Sequence, residues 1–184
     1  MFSIHYCVDQ LFHPSHYEHF NKSSFDIISI MTKIERYYID TSVIGGCLDD
    51  EFRKASKLLI KEFSEGRKIA VISEITRAEI SKAPKKVRQV MEKIPKDFID
   101  EVSLTEESNE LSRAYLKEKV ISKRFLADSQ HIAIATVVKA DIIISWNFKH
   151  IVNIERIRGF NSVNIKKGYG TVEIRSPWEV VGYD

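Results

Sequence analysis

Cysteine is scarce: Cys7 and Cys47 are the only two in 184 residues. Two thiols do not make a disulfide framework, which excludes the small stapled folds. Reduced thiols and a cytoplasmic location are the expectation. No uninterrupted apolar run approaches the ~20 residues of a membrane span, and the first residues lack the basic-then-apolar pattern of a signal peptide. No membrane association is expected. Neither sign of charge dominates, since 28 Lys and Arg stand against 26 Asp and Glu for a net charge of +2. A nucleic-acid footprint usually shows as a basic excess or patch, so any such footprint here must be local. Internal repeats and low-complexity segments are also missing.

What remains is an ordinary composition for a soluble domain, 43% apolar and 29% charged. The length favours one domain over two, and a chain of about 150 residues buries roughly 70% of its unfolded surface, enough for a real core. Residues 1–33 read differently from the rest. Phe2, Ile4, Tyr6 and Val8 alternate with polar residues, and His13, Pro14, His16 and His19 follow. This stretch has no sustained period, and Met31 offers an alternative start. It is expected to be an N-terminal extension, either poorly ordered or a mis-assigned start, ahead of a domain spanning 34–184.

From Ile34 the pattern becomes regular. Residues 37–39 read as a strand ending at Asp40. Residues 49–65 read as a helix with Phe52, Ala55, Leu59 and Phe63 on one face, stopped by Gly66. Residues 69–72 form a second apolar strand, and Ser73 caps a helix running to about residue 83. Pro84 opens another helix, and residues 98–102 read as a strand. Thr105 caps a further helix with Glu106 and Glu107 in its first turn. Asp128 opens a helix containing Ile132, Ala135 and Val138. Residues 142–145 form an apolar strand, and 163–165 and 172–174 suggest late strands. Apolar strands alternating with helices predict the α/β class, a three-layer α/β/α sandwich with a mainly parallel sheet.

In open α/β sheets, sites form at the carboxyl ends of strands. Asp40 and Asn147 both follow strands directly, Glu79 lies on the helix after the second strand, and Asp128 starts a later helix. Convergent carboxylates repel each other unless something cationic neutralises them. A hard divalent ion with oxygen ligands, Mg²⁺ or Mn²⁺, does this, and such ions serve phosphoryl displacement. The pattern therefore points to a phosphodiesterase.

Tyr38-Ile39-Asp40-Thr41-Ser42, the helix Ile75-Thr76-Arg77-Ala78-Glu79-Ile80, the run Asp128-Ser129-Gln130-His131-Ile132-Ala133 and the strand end Ser145-Trp146-Asn147 together resemble the PIN-domain nucleases. The likeness is to the toxin branch of bacterial type II toxin–antitoxin pairs, over Ile34 to the C-terminus. It implies Mg²⁺- or Mn²⁺-dependent cleavage of RNA, a partner antitoxin protein and frequent homodimers. It also implies that Asp40, Glu79 and Asp128 are metal-site carboxylates, that Asn147 stands in the place of a fourth acid, and that Thr41 and Ser42 orient ligands or water. The family usually carries Asp where this chain has Asn147, and often a second acid where it has Lys149. Asn can coordinate through its carbonyl but supplies no charge, which points to a one-metal site completed by substrate phosphate.

Other residues have plainer readings. His131 reads as a half-buried helix residue and His150 as a surface histidine near Lys149. The spaced His13, His16 and His19 read as a solvated tail. Glu74 reads as a solvated helix residue, and Trp146 as packed. Lys149, Arg156, Arg158, Lys166 and Lys167 could line an RNA path. Two rivals stand beside the ribonuclease: a Mg²⁺-dependent phosphatase, which would want a second Asp close to Asp40, and a non-catalytic RNA-binding or regulatory module with a degenerate site.

Overall fold

The computed structural model describes residues 33–182. The expectations placed on residues 1–32 lie outside the described residues.

The first strand, β1 (Arg36–Ile39), is followed by two helices, α1 (Thr41–Gly46) and α2 (Arg53–Ser64). Then come β2 (Ile69–Ser73), α3 (Glu74–Lys82), α4 (Lys85–Met91), β3 (Ile99–Val102), α5 (Glu106–Lys117) and α6 (Leu126–Val137). The chain continues through β4 (Ile142–Ile144), α7 (Ile154–Lys166), β5 (Glu173–Arg175) and α8 (Pro177–Val180). The strands form one sheet in the order β3-β2-β1-β4-β5, and every pair is parallel.

Alternation along the strands builds two cores. Tyr37, Ile39, Ala70, Ile72 and Ile144 point to one face, where they pack with Val43, Leu59, Phe63 and Ile80 of α1, α2 and α3. Tyr38, Val71 and Ile143 point to the other face, against Tyr115, Ile132 and Phe160 of α5, α6 and α7. Helices thus cover both faces, the expected three-layer α/β/α sandwich. Parallel strands need both faces covered, which is why these read as continuous apolar runs.

Local signals explain most boundaries. Ser73 and Thr105 cap α3 and α5 by accepting from the N–H groups of Thr76 and Ser108, each at 3.2 Å. Gly66 stops α2 at φ +70°, which only glycine adopts freely. Four readings need correction. Residues 163–165 are the last turn of α7, not a strand: Asn153 caps that helix by accepting from Arg156 N at 3.1 Å, and Val163 is buried while Ile165 is exposed. Phe98 belongs to a short 3-10 turn, so the third strand begins at Ile99. The helix expected from residue 49 begins at Arg53. Asp128 lies inside the first turn of α6, which Leu126 opens.

The amino end of the sheet is clamped by Arg36. Its backbone N–H donates to Asp141 Oδ2 at 2.8 Å, its Nε to Asp100 Oδ2 at 3.0 Å, and its Nη1 to the Val138 carbonyl at 2.8 Å.

Candidate active site

The strand order reverses between β1 and β4. Chain leaves this pair in opposite directions, opening a crevice at their carboxyl ends. Asp40 follows β1 there, and Ser145 to Asn147 follow β4. The register that pairs Ile39 with Ile144 brings Asp40 beside Ser145.

Asp40 is buried and held from two sides. One carboxylate oxygen, Oδ1, accepts from Ser42 N at 3.1 Å and from the Ser42 hydroxyl. The other, Oδ2, accepts from Ser145 Oγ at 2.7 Å. The two hydroxyls are themselves fixed by backbone N–H groups: Trp146 N donates to Ser42 Oγ at 2.9 Å, and Asn147 N donates to Ser145 Oγ at 2.9 Å. The rotamer of Asp40 is therefore set by the β4 exit as well as by its own turn.

Asp128 approaches from α6. Asn147 Nδ2 donates to its Oδ1 at 3.0 Å. Burial is the main reason Asp128 holds its proton more tightly than an ordinary carboxylate, and the charge of Asp40 adds to it; His150, His131 and the Asn147 bond pull the other way. The two acids thus sense each other. Among the described residues neither is paired with a Lys or Arg side chain.

Asn147 differs from its expected role. Its Oδ1 accepts from His150 N at 3.0 Å, so its amide NH₂, not its carbonyl, faces Asp128. A backbone N–H can only donate, which fixes the amide this way round.

Glu79 stands at the rim, 42% exposed. Its Oε2 accepts from the Thr41 hydroxyl and lies 3.9 Å from His131 Nε2, an ion-pair distance rather than a hydrogen bond. His131, and after it Thr41, hold the Glu79 carboxyl below its ordinary proton affinity against the effect of burial. Thr41 and Ser42 therefore serve different acids, Thr41 bonding Glu79 and Ser42 bonding Asp40.

His131 is buried. Its Nδ1 lies 2.7 Å from the hydroxyl of Tyr38, which donates onward to Ser73 Oγ at 2.8 Å. Sequence reasoning missed this chain because its members come from β1, the start of α3 and α6. Ser145 was missed as well, although a hydroxyl at a strand end beside a candidate site is a usable signal. His150 is not a surface residue: it is 8% exposed, its ring lies 3.6 Å from the Phe125 ring, and its buried Nδ1 has no hydrogen-bond partner among the described residues. Burial chiefly, with the charges of Lys149, Arg156 and Arg124, lowers its proton affinity, against the pull of Asp128.

Those three cations are a set defined by their effect on His150; Arg156 also donates to the Val120 carbonyl, and Arg124 was not foreseen. Lys166 and Lys167 do not belong to that set. They lie at the far end of α7, a helix of 13 residues and so about 20 Å long, and Lys166 pairs with Glu118.

The donors are hard oxygens from separate elements, as Mg²⁺ or Mn²⁺ requires. Among the described residues no three His, Cys, Asp or Glu side chains are close enough to hold an ion as a ready-made group. Mg²⁺ is commonly held by only one or two carboxylates with waters and substrate phosphate completing the shell. Asp40 and Asp128 fit that arrangement, while Glu79 stands apart from them, against Thr41 and His131.

No family model and no curated protein matches the chain. Among solved structures it is similar to VapBC2 from Rickettsia felis, solved bound to a DNA fragment from its promoter, at 18% identity over 77% of this chain and 98% of that one, TM-score 0.44. VapC20 from Mycobacterium tuberculosis, described as a Sarcin-Ricin loop cleaving toxin, gives 11% identity over 58% and 86%, TM-score 0.44. Tyrosyl-tRNA synthetase from Aeropyrum pernix gives 13% identity over 81% of this chain and 53% of that one, TM-score 0.47. At these scores none of the three decides the chemistry of this chain.

Proposed function

We propose that this chain is a divalent-metal-dependent endoribonuclease and the toxin of a toxin–antitoxin pair. One observation carries the reading: Asp40 follows β1, Asp128 is bonded to Asn147 from the β4 exit and feels the Asp40 charge, and among the described residues neither carboxylate is paired with a Lys or Arg side chain. Such a pair is costly by itself and is relieved by a hard cation. The four motif segments that resemble the PIN-domain nucleases supply the residues of this crevice, and the same resemblance motivates RNA as substrate and an antitoxin as partner.

When bound, Mg²⁺ or Mn²⁺ supplies Lewis-acid stabilisation of phosphate charge and lowers the pKa of water. Asp40 and Asp128 would hold the ion. Ser42 and Ser145 keep Asp40 in one orientation, so little reorganisation is needed on binding. Asn147 braces Asp128 and supplies an N–H donor at the edge of the crevice. Glu79, kept ionised by His131 and Thr41, is placed to orient water at the rim. Lys149, Arg124 and Arg156 offer phosphate contacts beside it. An antitoxin that places a basic side chain against the two aspartates would silence the site.

The test is incubation of the purified chain with unpaired and structured RNA, with Mn²⁺ or Mg²⁺, beside EDTA and Asp40→Asn. Cleavage that needs metal and Asp40 supports the enzyme. The Asn147 amide resting on Asp128, where a charged ligand would favour metal, gives specific support to a second reading, a non-catalytic RNA-binding module. RNA binding without metal-dependent turnover would select it.

A further inference from the structure

We infer that Phe148 is a stacking platform for an unpaired nucleobase next to the cleaved phosphate, so that the substrate is single-stranded or splayed-out RNA. The inference rests on the ribonuclease reading and specifies its substrate.

Phe148 is 48% exposed, although it directly follows Asn147. Consecutive Cα atoms are about 3.8 Å apart, so the backbone that carries this ring adjoins the residue bonded to Asp128. Isolated exposed apolar residues are common, but this one stands on a built support. Its ring centroid is 5.9 Å from Trp146 and 6.5 Å from Phe52. Those two rings stack on each other at 4.4 Å, and Trp146 is locked by donation from Nε1 to Ser56 Oγ at 2.8 Å. An aromatic face held by two packed rings loses little freedom when a planar group lands on it.

The surroundings select the planar group. Lys149 is the next residue and is exposed. Two residues beyond Phe148, the His150 ring lies 3.6 Å from the Phe125 ring, over which Arg124 sits at 4.6 Å, and Arg124 and Arg156 both act on His150. Single-strand binders use this combination, cations tracking phosphates and a ring taking a base. A protein-docking face would need a broad apolar area, whereas the exposed ring here is bordered by Lys149 and the polar Asn147. A base within a duplex hides its face, so the platform rewards only unpaired nucleotides.

The test uses the full chain carrying Asp40→Asn, in EDTA, with a short single-stranded RNA containing one 2-aminopurine, and the same RNA annealed to its complement. The expected result is quenched fluorescence on binding the single strand. Phe148→Ala should abolish the quench and weaken binding about ten-fold or more, as loss of one base stack does, and Phe148→Trp should retain both. Duplex binding should be equal in all three. Equal single-strand affinity and quench in Phe148→Ala overturns the inference; if the native chain still cleaves RNA, the ribonuclease reading survives that result. A chain that neither binds nor cleaves RNA overturns both. A homodimer that becomes monomeric in Phe148→Ala, with RNA affinity unchanged, assigns the ring to a protein interface and also overturns it.

Discussion

Replacing Asn147 with Asp separates the electrostatic account from a purely structural one, because the two side chains have nearly the same shape. The new carboxylate can still accept from His150 N, as Asn147 Oδ1 does. It cannot donate to Asp128, where Asn147 Nδ2 now lies 3.0 Å from Oδ1. Losing a hydrogen bond to a charged group costs about 1.5–3 kcal/mol. Two like charges about 4 Å apart add up to roughly 4 kcal/mol at an effective dielectric near 20. Part of that is relieved because Asp128, already holding its proton more tightly than usual, can take one up. A net loss of about 2–4 kcal/mol in the metal-free protein follows. For a chain of 184 residues, about 2–4 °C per kcal/mol makes this a fall of roughly 4–16 °C in Tm. Mn²⁺ should reverse the sign, because the added charge that destabilises the free site strengthens it as a ligand set. The assay is thermal unfolding across a Mn²⁺ series at fixed ionic strength and neutral pH. An Asn147→Asp chain with unchanged metal-free Tm and the same Mn²⁺-induced rise as the parent would refute the reasoning.

Other predictions test separate parts of the molecule. Gly46→Ala would place a Cβ 2.5 Å from Ser56 Oγ and 2.7 Å from Trp146 Nε1, breaking the bond between them; a loss of about 1–3 kcal/mol in denaturant unfolding is expected, with reduced cleavage because Trp146 adjoins Asn147. Glu79→Gln should lower stability by under about 1 kcal/mol at pH 7, since the group is largely solvated. The folded-state pKa of Glu79 is depressed below its ordinary 4.5, so its contribution is present above that value and lost as pH falls through the lower folded pKa; parent and variant unfolding curves should converge in that acidic window. Burial raises the Cys47 thiol to about 11, so in a Cys7→Ser chain it should resist alkylation at pH 8 until denaturant unfolds the protein.

The pattern of the sequence exposed the layers and missed the wiring. β1, β2 and β4 are short apolar runs because both faces are covered, and the caps at Ser73 and Thr105 mark helix starts that hold in three dimensions. The central position of β1, which creates the crevice, depends on which strands pair and leaves no local trace. Asp40 was legible from its place after a strand. The hydroxyls that hold it come from Ser42, two residues on, and Ser145, about a hundred residues away; both lie within the motif segments, but their meeting on one carboxylate is set by the pairing of β1 with β4. His131 and His150 were read by their neighbours in sequence, while their burial is set by Tyr38 and Phe125. Glu74, read as a solvated helix residue, is exposed and in addition accepts from Leu104 N at 2.6 Å across a long separation. The Val163–Ile165 error arose because Val-x-Ile alternates like a strand; the Asn153 cap and Glu155 in the first turn were the stronger signal.

The central claim is that Asp40 and Asp128 together hold the ion used to cleave RNA. Its most direct measurement is the rate of cleavage of one unpaired RNA against Mn²⁺ concentration, for the native chain and for Asp128→Asn at equal ionic strength. The account predicts no cleavage without metal, saturation in the native chain, and a loss of about a hundred-fold or more in the variant, the size seen when a group that stabilises transition-state charge is removed. Cleavage independent of metal, or equal in both proteins, would contradict it.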